Sequence, residues 1–237
     1  PELVDAGHPD LSFELYAHST REPPHFERQS WDGVRSWAVG QAVALREALA
    51  KIKKRIPAKK GKEGDDLEAA TDAVDGAVLQ AQSYVVIFRH AVNAMGDAGD
   101  KKVLAELNAL FAAEELDDAK LTAACGSGAT LMDKLGKKFA GMADFDAAKV
   151  KALYAKIASD PLLGDTDEFT AEQAAGALYA LYNSAKQGKG PRNKGAVETP
   201  KEIAAILVRP TVYEPEDLFD DEGTFKGGEW ARRLKVA

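Results

Sequence analysis

The sequence predicts an all-α fold, a helical bundle of four main helices plus short extra helices, carried between extended N- and C-terminal arms. Three observations predict it. Apolar residues recur at three- and four-residue steps through the middle of the chain, the period of a helix with one buried stripe. No stretch shows the alternation of a half-buried strand. Both ends carry prolines and break that helical pattern, yet they are rich in aromatic and leucine side chains. The division expected is an N-terminal arm over 1–28, a bundle over 29–209 and a C-terminal arm over 210–237.

The first helix is expected over 29–55, where Val34, Ala38, Ala42, Leu45, Leu49 and Ile52 make one stripe that Ile56 continues. Pro57 stops it, and Gly61 and Gly64 open a charged loop. Asp65 or Asp66 is expected to cap the second helix, and Gly96 to end it. Its stripe is Leu67, Ala70, Val74, Val78, Ala81, Val85, Phe88, Val92 and Met95. Asp100 is expected to start the third, with Leu104, Leu107, Leu110 and Phe111 inward and a broken continuation through Leu116 and Leu121. Gly126, Ser127 and Gly128 read as an interruption, after which Leu131, Leu135 and Phe139 lead to Gly141. Asp144 is expected to open a helix with Val150, Leu153, Tyr154 and Ile157, ending before Pro161. Thr170 and Gln173 have the capping-box spacing ahead of Leu178, Leu181 and Tyr182. Thr199, Pro200 and Glu202 repeat that signal before a short helix over 201–208, which Pro210 closes.

Composition narrows the function classes. A chain of 237 residues with 45% hydrophobic and 29% charged residues can bury a full core. A formal net charge of −7 argues against nucleic acid as the main partner. The charge is uneven. Residues 51–62 hold Lys51, Lys53, Lys54, Arg55, Lys59, Lys60 and Lys62, and the acids Glu63, Asp65, Asp66 and Glu68 follow at once. Lys186, Lys189, Arg192 and Lys194 form a second basic stretch. Cys125 is the only cysteine, so no intrachain disulfide can form. No apolar run approaches the ~18–20 residues that span a bilayer. The start does not read as a signal or transit peptide, and Pro1 fits either Met removal or cleavage of a longer precursor.

The chemistry-bearing residues give no catalytic, metal or cofactor motif. His8, His18 and His25 lie among carboxylates, and Glu22 and His25 have the Glu-x-x-His spacing of a di-iron site. That spacing works on a helix, and Pro23 and Pro24 between them oppose one. These histidines read as surface or interface groups, and His90 as a helix residue satisfied by its neighbours. Cys125 reads as a small buried residue, since a nucleophile needs a base and a lowered pKa. The Gly126–Gly128 turn lacks the strand and third glycine of a dinucleotide site, and Lys138 stands where a P-loop needs Ser or Thr. Acidic clusters at 114–118 and 214–222 could supply a glycosidase-like pair only in a groove, for which there is no signature. Trp31 and Trp37 read as core anchors before pigment or haem contacts.

The arms carry the functional expectation. Disordered tails avoid aromatics, because these side chains gain by burial. Phe13, Tyr16, Phe26, Tyr213, Phe219, Phe225 and Trp230 are therefore expected to lie on a partner or on the bundle. Lys53, Lys54, Lys59 and Lys60 read as solvated groups at helix ends or, in the docking reading, as a face for an acidic partner. No cofactor is expected.

Ser83 and Tyr84 followed by Arg89, then Asp100, Lys101 and Lys102 leading into Leu104, Leu107, Leu110 and Phe111, then Leu116, Asp117, Asp118 and Ala119, form a further pattern. This pattern resembles the PsbQ family, the four-helix extrinsic proteins on the luminal side of photosystem II. The resemblance covers 83–119. The present chain is longer, adding the helices after Asp144 and the C-terminal arm, and no functional residue is carried over. The resemblance implies a non-catalytic accessory subunit in the thylakoid lumen, attached to a membrane complex through other protein subunits. A viral coat or filament protein that self-assembles through exchanged arms is the alternative from a different class. A helical enzyme with hidden carboxylate or histidine chemistry is the third.

Overall fold

A computed structural model describes residues 33–113, 115–142, 147–165 and 167–187. Among these residues the chain is all-α. Six α-helices follow one another: α1 (Gly33–Arg55), α2 (Gly64–Met95), α3 (Ala98–Phe111), α4 (Asp118–Ala140), α5 (Ala147–Ala158) and α6 (Glu168–Gln187). Two 3-10 turns, Ile56–Lys59 and Pro161–Asp165, join α1 to α2 and α5 to α6. The arms expected over 1–28 and 210–237, and the short helix expected over 201–208, lie outside the described residues.

α1 is the centre of the packing. Its largest contact is with α4, its next with α2, and α6 reaches it as well. Polar pairs set the register with α4. Arg35 donates to the Met142 carbonyl at 3.4 Å, Arg46 to Asp133 at 2.8 Å, and Lys59, just beyond α1, to Asp118 at 2.9 Å. The partners descend α4 as they ascend α1, so the two helices are antiparallel. α2 also runs antiparallel to α1, because Arg55 donates to the Ala73 carbonyl at 2.7 Å and Lys51 to Gln80 at 3.2 Å. α3 packs on α2 and α4, while α5 and α6 pair with each other and lie on α2. α2 has 32 residues and is about 48 Å long.

The predicted stripes are the core. On α1, Val34, Ala38, Ala42, Leu45, Leu49 and Ile52 are buried. On α2, Ala70, Val74, Val78, Ala81, Val85, Phe88 and Val92 are buried, joined by Ala77 and, in its C-terminal half, by Val86, Ile87 and Ala91. Leu67 departs from the expectation at 37% exposed, since it precedes the part of α2 that its neighbours cover. The rings of Phe88 and Phe139 meet edge to face, centroids 5.8 Å apart at 82°, and tie α2 to α4.

Helix starts differ from the sequence expectation in a consistent way. α3 begins after Asp97, whose carboxylate accepts the Asp100 N–H at 2.9 Å, while Asp100 accepts the Asp97 N–H at 3.0 Å. Asp100, expected as the cap, is the third helical residue and closes a capping box. Likewise Thr170 is not a cap. It lies inside α6, where Asp167 accepts both its N–H and its hydroxyl, at 2.9 and 2.8 Å. α4 starts after Asp117, which accepts the Lys120 N–H at 2.8 Å. α2 begins at Gly64 rather than at an aspartate cap, and Asp65 and Asp66 occupy its first turn, where they favour the helix dipole. Gly61 and Gly64 have positive φ, 76° and 55°, which lets the chain reverse there. Gly96 ends α2 in an extended conformation, and a Cβ there would lie 2.6 Å from the Val92 carbonyl oxygen, so close approach selects the glycine.

The largest correction concerns Gly126–Ser127–Gly128, which does not interrupt anything. α4 runs unbroken through it. Ser127 donates back to the Ala123 and Ala124 carbonyls at 3.3 and 3.1 Å, and Thr130 to the Gly126 carbonyl at 3.1 Å, so these hydroxyls follow the helix. Gly128 is glycine because of packing. A Cβ there would meet Leu107 Cδ1 at 2.7 Å and Leu49 Cδ1 at 2.9 Å, both buried.

Candidate functional site

The residues singled out for chemistry go to structural places. Cys125 is buried in α4, and burial pushes its thiol up to about 11 despite the opposing pull of Lys53. Such a thiol is protonated at neutral pH and is a poor nucleophile. Asp117, of the 114–118 acidic cluster, caps α4, and Asp118 pairs with Lys59. Trp37 is buried in α1. No group of three or more potential metal ligands occurs among the described residues. No helix of the described residues is long and apolar enough to cross a membrane.

Two buried carboxylates fasten the bundle. Asp100, at the start of α3, receives Lys134 at 2.6 Å and lies 3.7 Å from Lys138, both on α4. Lys134 also bonds Asp97 at 3.1 Å. The Asp100 amide and Lys134 together hold the Asp97 carboxyl at about 2. Asp160, between α5 and the turn to α6, receives both Arg89 and His90 of α2 on Oδ2, the latter at 2.6 Å. Its Oδ1 accepts the Leu162 N–H at 3.0 Å. Burial alone would raise the Asp160 carboxyl. The bonds from His90, Arg89 and Leu162 outweigh that and hold it at about 2. His90 is thus committed to Asp160. Sequence reasoning expected His90 to be satisfied but could not see its partner; the adjacent Asp160 and Pro161, a turn signal, were the available hint.

The candidate contact surface is the end of the bundle where α1 passes into α2. Lys51, Arg55 and Lys59 are tied down by Gln80, Ala73 and Asp118. Lys53, Lys54, Lys60 and Lys62 are exposed and make no ion pair among the described residues. Of the four lysines expected at a partner, Lys59 is therefore already engaged, and Lys53, Lys54 and Lys60 remain as a cationic edge. Phe13, Tyr16, Phe26, Tyr213, Phe219, Phe225 and Trp230 lie outside the described residues. No family model, curated protein or solved structure matches the chain.

Proposed function

We propose that this chain is a non-catalytic accessory or assembly subunit that docks on a larger protein complex, with the bundle as a rigid body. We read the four longer helices, α1, α2, α4 and α6, as the main bundle. Its contacts are the lysine edge and the aromatic-bearing arms, 1–28 and 210–237. The observation that carries the reading is the division of the basic run. Three of its cations close the bundle, while Lys53, Lys54, Lys60 and Lys62 stand exposed on one end. An acidic protein surface is the complement of such an edge. The commitment of both buried carboxylates and of His90 to helix–helix fastening supports a structural role for these groups.

The resemblance over 83–119 gives the proposal its specific form, a luminal extrinsic subunit of a photosystem, held peripherally on the membrane complex. A coat or filament protein that self-assembles through its arms is the competing outcome. The test is Lys53→Glu/Lys54→Glu/Lys60→Glu, with folding verified by circular dichroism. The variant is expected to keep its helical signal and melting midpoint while losing retention on the complex, and wild-type retention is expected to fall with added salt. Salt-insensitive retention, unchanged in the variant, would remove the lysine edge from the interface.

A further inference from the structure

Trp37 and Gln41 lie one turn apart on α1, 3% and 8% exposed, in the buried stripe that holds Val34, Ala38 and Leu45. The indole Nε1 of Trp37 and the side-chain Oε1 of Gln41 are buried and have no hydrogen-bond partner. They are the two such side-chain atoms among the described residues. One is a donor and the other an acceptor. A buried polar atom left unpaired costs its desolvation, and interiors almost always supply a partner.

We propose that this pair holds one buried water molecule, which accepts from Trp37 Nε1–H and donates to Gln41 Oε1. The chemistry of the pair selects the ligand. An anion would suit the indole but be repelled by the amide oxygen, and a cation would face the reverse conflict. Val34, Ala38 and Leu45, buried on the same stripe, penalise charge of either sign. What remains is a neutral group that donates and accepts at once. The exposures, 3% and 8%, with both polar atoms inaccessible, suit a small group better than a segment of another protein. No main-chain group serves either, since neither atom has a hydrogen-bond partner. Internal waters occupy polar sites of this kind, with two to four partners each. The water makes Trp37 and Gln41 one polar unit inside an otherwise apolar stripe.

The test is a water-selective NOE measurement on the intact 15N-labelled chain, with the Trp37 indole signal assigned through Trp37→Phe. The expected result is a cross-peak from water to the Trp37 indole proton, with the sign of a long-lived contact, that is lost in Gln41→Met. The same variant is expected to lower the melting midpoint, because the water loses half of its hold. Absence of the cross-peak at an indole proton protected from exchange overturns the proposal. So does a midpoint that rises in Gln41→Met, as it would if Oε1 were simply unpaired and its removal a relief.

Discussion

Asp160 and His90, 70 positions apart, share a hydrogen bond of 2.6 Å between Oδ2 and Nε2, and Arg89 reaches the same oxygen. This contact fastens the turn between α5 and α6 to the second half of α2. It is the polar counterpart of the apolar packing of α5 and α6 on α2.

Removing Asp160 leaves Arg89 and His90 without their shared partner and frees the Leu162 amide. Asp160→Ala is expected to cost roughly 3 kcal/mol in urea denaturation, as for breaking a buried ion pair. Asp160→Asn, which can still accept from Leu162, is expected to cost less. A loss below about 0.5 kcal/mol for the alanine variant would show that the contact is idle.

The pH dependence follows from the same group. The folded-state value of Asp160, about 2, lies below the ordinary 3.8, so the unfolded chain takes up the proton first. Its stabilisation is complete above about pH 5 and drains away as the pH falls through about 4 toward 2. Asp97, also held at about 2, acts in the same direction. Midpoints measured against pH for wild type and Asp160→Asn are expected to differ by a constant amount above about pH 5 and to converge below about pH 4. A gap that persists undiminished to pH 2 would contradict this assignment.

Glycines inside two helices are expected to respond in opposite ways. Gly76 is exposed in α2, and a Cβ added there would meet nothing within 4 Å, so Gly76→Ala is expected to stabilise by about 0.5–1 kcal/mol through helix propensity. Gly128 faces Leu107 and Leu49, which a Cβ would meet at 2.7 and 2.9 Å, and Gly128→Val is expected to destabilise by about 2–3 kcal/mol through overpacking. Denaturant midpoints decide both, and a stabilised Gly128→Val would mean that the α1–α3–α4 contact is looser than described.

Phe88 is fully buried against Phe139. Phe88→Ala is expected to cost about 3–5 kcal/mol by calorimetry or urea titration, and an unchanged midpoint would refute its place in the core.

What was legible in the sequence was periodicity. Leu45, Leu49, Val74, Val85, Leu104, Leu107, Val150 and Leu153 announce their buried faces by spacing alone, because a helix repeats every 3.6 residues whatever it packs against. Caps and breaks were less legible. Asp97 and Asp100 both suit a helix start, and only the backbone shows that the first caps and the second closes the box. Gly128 carries a breaker's identity, but its cause is the approach of two leucines from α1 and α3, which no local pattern contains. The partner of His90 was hidden for the same reason. Composition located the basic run but could not separate Lys59, which pairs with Asp118, from the exposed Lys53, Lys54 and Lys60.

Native mass spectrometry of the material isolated intact from its source is the decisive test of the proposed docking role. The chain is expected in an assembly with other protein subunits at low salt, released as the salt concentration rises. A lone monomer under those conditions, or a large assembly of this chain alone, would contradict it.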